Sequence, residues 1–400
     1  MLIPLMAMVG GAIDFTRAFI VKSRLQNSLD AAVLATAAAA SLGNAERIAY
    51  GKNIFKANYP ASELGTPAEA VITISTDGRV TGSVSANLST TLLNVIGIEN
   101  ITLNTTNEAQ SATLSDAEIV LVLDYSGSMN WSGKYQAMRD ASINLINTLS
   151  QNGSNDKVKF GLVPFSKHVY GTIASDYIVN ETPGGTWTNC TMDRKWPYNI
   201  QDSTPILADN NTKWGMACTS GDDDDDEDGG SCDPYSVCSS YTSRNLIMRP
   251  LSNNHSAIIN QIQSMTPYSN THISLGLEFG WHLIAPNSPW QEGVAYDTED
   301  VLKAIVLLTD GRQTSKGWGP GNSSSVSNAE SNLEDMCEAI KATNVLLVTV
   351  AFDLNDSATE NRLRNCATSP AYFFDADTNA SLAAAFESIA GQISKLTLTK

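Results

Sequence analysis

Asp124, Ser126 and Ser128 stand at alternate positions of the string Asp124-Tyr125-Ser126-Gly127-Ser128. One carboxylate and two hydroxyls are hard oxygen donors, a set that suits magnesium, calcium or manganese rather than zinc. They follow directly on Ile119-Val120-Leu121-Val122-Leu123. A run of branched aliphatics such as this reads as a strand buried on both faces of a parallel sheet. Ligands of open parallel sheets bind in the crevice beyond the carboxyl ends of the strands. Position and donor type thus point to the same chemistry, a divalent cation held by a loop. The plainer reading is that these polar residues only cap a following helix.

Other residue types point away from catalysis and from zinc. His168, His255, His272 and His282 are scattered and lack zincin or triad spacing. His272 beside Thr271 could line a metal crevice or be an ordinary buried histidine. The six cysteines, Cys190, Cys218, Cys232, Cys238, Cys337 and Cys366, make no C-x-x-C. Their even number suggests disulfides and an oxidising compartment. The simplest pairing joins neighbours, 190 with 218, 232 with 238 and 337 with 366, although the first four share one segment and have other options. The run Asp222-Asp223-Asp224-Asp225-Asp226-Glu227-Asp228 lacks the interspersed residues of a calcium loop and reads as a solvated stretch. The formal charge of −17 excludes nucleic acid as a partner, which needs a basic footprint.

The D-x-S-x-S string resembles the metal-ion-dependent adhesion site (MIDAS) of von Willebrand factor type A domains. That family places a threonine on a second loop ahead of a helix, matched here by Thr271 in Asn270-Thr271-His272-Ile273-Ser274-Leu275-Gly276. It also places an aspartate at the end of another buried strand. Here Ala304-Ile305-Val306-Leu307-Leu308 runs into Thr309-Asp310-Gly311. The resemblance implies a doubly wound, Rossmann-like α/β fold with a parallel sheet. It also implies a magnesium site (manganese or calcium being alternatives) formed by Asp124, Ser126, Ser128, Thr271 and Asp310. In the family a carboxylate of a protein partner completes the coordination.

The N-terminus carries a second resemblance. Met1 to Ile13 is apolar, shorter than the roughly 20 residues of a membrane helix, and Phe15, Ala18, Phe19, Ile20 and Val21 extend it. Asp14 and Arg17 interrupt it at a spacing that lets them pair on one helix face. No basic n-region precedes the stretch, so it is not read as a cleavable signal peptide. Gly11-Ala12-Ile13-Asp14-Phe15-Thr16-Arg17, then Leu25-Gln26-Asn27-Ser28-Leu29-Asp30-Ala31-Ala32-Val33-Leu34-Ala35, resemble TadG-like proteins of the Tad (Flp) pilus assembly system. The resemblance implies a non-enzymatic assembly component, anchored by one pass in a bacterial inner membrane, with the bulk of the chain in the periplasm. Its partners would be other pilus-assembly components. A surface-exposed adhesin gripping an acidic ligand residue is the alternative. Arg17, Lys22 and Arg24 follow the apolar stretch and argue for the opposite orientation, whereas the cysteines favour export.

The elements that must position these residues divide the chain into three. Residues 1–59 read as a helix with breaks at Gly43 and Gly51. Residues 60–115 read as a small β-rich, pilin-like module. In it Val71–Ser75 and Val80–Val84 form a hairpin about Asp77-Gly78, and Ile98–Leu103 adds a strand. Residues 116–396 alternate strands and helices. An insert at about 170–250 breaks the alternation without clear elements, and its Trp187, Trp196 and Trp214 read as a small core tied by disulfides.

Overall fold

The computed structural model describes residues 2–39, 43–60, 64–75, 78–110, 116–150, 157–179, 187–217 and 234–399. The acidic run, Cys218 and Cys232 lie outside them. The chain divides into two compact units, one ending at Leu114 and the other beginning at Ser115.

In the first unit, helices α1 (Leu2–Ala38) and α2 (Asn44–Asn58) precede strands β1 (Thr66–Pro67), β2 (Val71–Ile74), β3 (Arg79–Ser89) and β4 (Asn100–Gln110). All four strands pair antiparallel, with β3 at the centre. The helix and the β-module expected as separate pieces thus form one body. Val21, Leu25, Leu29, Ala32 and Val33 recur on one face of α1 and join Ile72, Val80, Val84 and Leu88 in a common core. Of the two expected breaks, the one at Gly43 is present, where α1 has ended at Ala38 and α2 packs back against it, whereas Gly51 lies inside α2. Buried Arg47 fixes that return, its Nε donating to the Thr36 carbonyl at 3.1 Å. That carbonyl is among those a helix C-terminus leaves without an intrahelical partner.

Asp14 explains the charged interruption in the apolar stretch. Its carboxylate is fully buried and accepts from the backbone N–H groups of Thr91, Leu92 and Leu93 at 2.9–3.1 Å and from Thr91 Oγ1 at 2.8 Å. Arg17 pairs with it at 3.2 Å and also donates to Thr91 Oγ1. A buried carboxylate is tolerated only when its lone pairs are filled. Here they clasp the β3–β4 connection to the helix.

The second unit carries β5 (Asp116–Asp124), α3 (Lys134–Ser150), β6 (Val158–Phe165), β7 (Val169–Tyr170), β8 (Ile178–Val179), β9 (Cys190–Arg194), β10 (Trp214–Met216), α4 (Pro234–Ser243), β11 (Arg249–Ser252), α5 (His255–Ser264), α6 (Ile273–Ile284) and β12 (Val301–Thr309). Then come β13 (Gly317–Gly319), β14 (Ser323–Ser325), α7 (Val326–Lys341), β15 (Leu346–Phe352), α8 (Ser357–Cys366), β16 (Phe373–Ala376) and α9 (Asn379–Thr399). The main sheet runs β11-β6-β5-β12-β15-β16, parallel except for the β11 edge. One face is covered by α3, α5 and α9, the other by α6, α7 and α8. This is a doubly wound von Willebrand factor A-type fold, and the chain reverses direction across the sheet between β5 and β12.

Two features position the loops. Every residue of α6 is buried, and Gly276 and Gly280 let it lie close on the sheet. A Cβ on Gly276 would meet the Phe165 ring at 2.6 Å, and one on Gly280 would meet Val122 at 2.4 Å. The insert, for its part, is not featureless. It builds a small sheet in the order β7-β9-β10-β8, with Trp214 fully buried, Trp187 partly buried and Trp196 exposed. Cys190 on β9 is bonded to Cys238 on α4, not to Cys218 as neighbour pairing would have it, because the fold brings those two elements together. Cys337 on α7 is bonded to Cys366 on α8.

Candidate functional site

The carboxyl ends of β5 and β12 lie side by side, Leu123 opposite Leu308, so the residues that follow each strand meet. Backbone bonds then sew the loops together. Gly127 N–H donates to the Ser269 carbonyl at 2.7 Å, and His272 N–H to the Ser166 carbonyl at 2.9 Å. The Thr271 carbonyl accepts from the N–H groups of Thr314 and Ser315, each at 3.0 Å. The Gln313 side chain accepts from the Ile273 N–H at 2.7 Å and so holds the start of α6.

Within this frame Asp124 is fully buried and accepts from its neighbour Ser126 N–H at 2.7 Å and from Thr309 Oγ1 at 2.6 Å. Ser128 Oγ donates to Asp310 Oδ1 at 2.6 Å. Its single proton is thereby used, so Ser126 Oγ donates to Ser128 Oγ across 3.1 Å. Thr271 belongs to the same group: its Oγ1 and Ser128 Oγ both lie 3.5 Å from the point where a side chain on Gly311 would begin. Asp124, Ser126, Ser128, Thr271 and Asp310 are therefore brought together.

The electrostatics of this group favour positive charge. Burial, reinforced by the charge of Asp310, pushes the Asp124 carboxyl up to about 7 against the hydrogen bonds from Ser126 and Thr309. Two carboxylates facing one another across hydroxyls favour a cation. Lys134, at the start of α3, supplies one positive charge, with Nζ 3.0 Å from Asp310 and 2.9 Å from Asp353. Burial works against its ammonium, but Asp353 and Asp310 outweigh that and hold its pKa above the usual lysine value. Asp124, Asp310 and Asp353 outnumber the one ammonium, and a divalent cation would favour the ionised form of Asp124 against the burial that raises it. Among the described residues no trio of His, Cys, Asp or Glu gathers as a metal site, so an ion here would be held largely by hydroxyls. The donor set fits a hard, oxygen-loving cation.

Lys134, Thr309 and Asp353 escaped the sequence reading. Asp353 follows β15 as Asp310 follows β12, so the rule that located one could have located the other. Lys134 gave no signal, since a lysine opening a helix is ordinary. His272 is buried beside Thr271 and immediately precedes α6.

Behind the site, α6 carries the insert. Glu278 accepts from Arg194 Nε at 2.8 Å and from Trp214 Nε1 at 2.9 Å, all three side chains being buried. Burial raises the Glu278 carboxyl while Arg194 opposes the rise. Beside Arg194, Asp193 Oδ2 accepts from Trp318 N–H at 2.9 Å and from Asn199 Nδ2 at 3.3 Å, while its Oδ1 is buried without a partner. Burial pushes this carboxyl up to about 6.

Sheet order, helical layers and strand-end loops define a von Willebrand factor type A domain, and residues 239–388 match that family. The match begins near the end of the insert, and the structure adds the upstream β5 loop to the same sheet. Residues 1–40 match the family described as putative Flp pilus-assembly TadE/G-like. The chain thus joins a TadE/G-like N-terminal segment to a von Willebrand factor type A domain, and neither family description is that of an enzyme. No curated protein matches it. Similar solved structures include the pilus adhesin SpaC of Lactobacillus rhamnosus GG, at 14% identity over 84% of this chain and TM-score 0.42. This chain spans only 35% of SpaC. The von Willebrand domain of the type V pilus tip protein Mfa5 of Porphyromonas gingivalis is 14% identical over 70% of this chain and 96% of its own, with TM-score 0.42. The mussel byssus protein PTMP1, with a zinc-occupied MIDAS motif, is 16% identical over 71% of this chain and 46% of its own, with TM-score 0.36. Among the described residues, no helix is long and apolar enough to cross a membrane.

Proposed function

We propose that this protein is a membrane-anchored, periplasm-facing component of Tad (Flp) pilus assembly that binds protein partners through a divalent cation. Asp124, Ser126, Ser128, Thr271 and Asp310 would hold the ion, with magnesium favoured and manganese or calcium also suited to oxygen donors. When bound, the ion supplies a Lewis-acid position to which a partner's carboxylate can bind. The protein's own residues do the rest. Thr309 orients Asp124 by its hydrogen bond, and Lys134 keeps Asp310 and Asp353 from carrying unopposed charge. The buried α6 and Gln313 hold the Thr271 loop in place.

The observation that carries this reading is the meeting of the five side chains at the carboxyl ends of β5 and β12. The TadE/G-like match of residues 1–40 supports the pilus setting and the anchoring. Complementation of a deletion strain with Asp310→Ala tests it. The variant is expected to fractionate with membranes yet give few pili; full piliation would remove the site from the function.

A further inference from the structure

The clasp on Asp14 has an outer surface. By holding Thr91, Leu92 and Leu93, it fixes the connection between β3 and β4 beside the turn of α1 where the apolar run ends. A Cβ on Gly11 would meet Leu93 at 3.9 Å, which places that connection alongside residues 11–14 of the helix. Most of the side chains facing outward there are large and apolar, with Thr16, Asn94 and Glu99 among them. On the connection, Val95 is 81%, Ile96 50% and Ile98 46% exposed; on the helix, Phe15 is 70%, Phe19 75% and Ile20 40% exposed. Such a cluster on a folded unit marks a contact surface rather than chance exposure.

Its chemistry selects the partner. Leu2 to Ile13 leads into the cluster without a charged residue. From Phe15 to Ile20 the helix rises roughly 8 Å, within the roughly 5–10 Å to which interfacial apolar faces sink into a bilayer. Of the charges at this level, Asp14 and Arg17 neutralise one another and are hydrogen-bonded to the connection, while the exposed Glu99 follows Ile98 at the edge of the patch. Lys22 and Arg24 follow within the next turn, both exposed, where they would meet lipid phosphates.

We propose that the Leu92–Ile98 connection and the Phe15–Ile20 turn of α1 form one membrane-seated surface. The N-terminal unit would then rest on an anionic bilayer through a loop as well as through its helix. This rests on the anchoring reading above and adds a second, loop-borne contact to it.

The test uses the full chain and vesicles of phosphatidylethanolamine and phosphatidylglycerol. Val95→Cys carries an environment-sensitive fluorophore, Val71→Cys on β2 serves as an exposed control, and labelled wild type gives the blank. The label at 95 is expected to brighten several-fold on vesicle addition and to be quenched by lipid-borne quenchers, while that at 71 does not change. The double variant Val95→Asp/Ile96→Asp, with circular dichroism unchanged, should float with vesicles at least about tenfold less well. If the protein floats but the label at 95 behaves like that at 71, the loop contact is wrong and the anchoring stands. If it does not float at all, anchoring and loop contact fail together. Brightening at 95 that follows protein concentration without lipid would show a second copy covering the patch and would overturn the proposal.

Discussion

Replacing Asp193 by Asn should stabilise this protein, and only above a definable pH. The Asp193 side chain is buried, with one oxygen hydrogen-bonded and the other without a partner. Burial moves its pKa from 3.8 up to about 6. A carboxyl with a folded pKa above its unfolded one binds its proton more tightly when folded, so stability falls as pH rises between the two values. The penalty is absent below about pH 4, grows to about pH 6 and is constant above. At ~1.4 kcal/mol per pKa unit, a rise of about two units amounts to about 3 kcal/mol. Asparagine keeps the accepting oxygen and carries no charge, so Asp193→Asn should be about 3 kcal/mol more stable than wild type at pH 8 and nearly equal to it at pH 3.5. Urea unfolding followed by tryptophan fluorescence reports on the right unit, because all seven tryptophans lie beyond residue 115. A variant that gains nothing at pH 8, or differs from wild type equally at both pH values, would refute the reasoning.

Two further outcomes follow from the second unit. Lys134→Met removes the one ammonium between Asp310 and Asp353, so without divalent cations the melting temperature should drop, by about 3 kcal/mol in stability. Magnesium should then raise it by more than it raises wild type; an equal rise would separate Lys134 from the ion site. Joint replacement of Cys337 and Cys366 by Ala opens a bridge spanning 29 residues and should cost about 3 kcal/mol. Peptide mapping of protein from native cells should find that bridge intact, and two free thiols there would contradict an exported domain.

How much of this was legible in the sequence follows from what each signal depends on. The β5 loop was, because a strand buried on both faces leaves an unbroken aliphatic run, and donors at alternate positions of the next loop stand out against it. The insert was not, since its strands are two to five residues long and show no periodicity. Nor could spacing pair Cys190 with Cys238, because that bond depends on α4 meeting β9 in space. The Asp14–Arg17 pair could be read from helical spacing, but the N–H groups that Asp14 binds lie some 77 to 79 positions away. The break at Gly43 was legible, but the return of α2 along α1 depends on a tertiary contact, the buried Arg47 against the end of α1.

The central claim is that Asp124, Ser126, Ser128, Thr271 and Asp310 hold one divalent ion. Calorimetric titration of the full chain with magnesium and manganese measures this directly, alongside Asp124→Ala shown to be folded by circular dichroism. The account predicts one ion per wild-type chain and no binding in the variant. Binding of unchanged affinity in Asp124→Ala, or none in wild type, would contradict it.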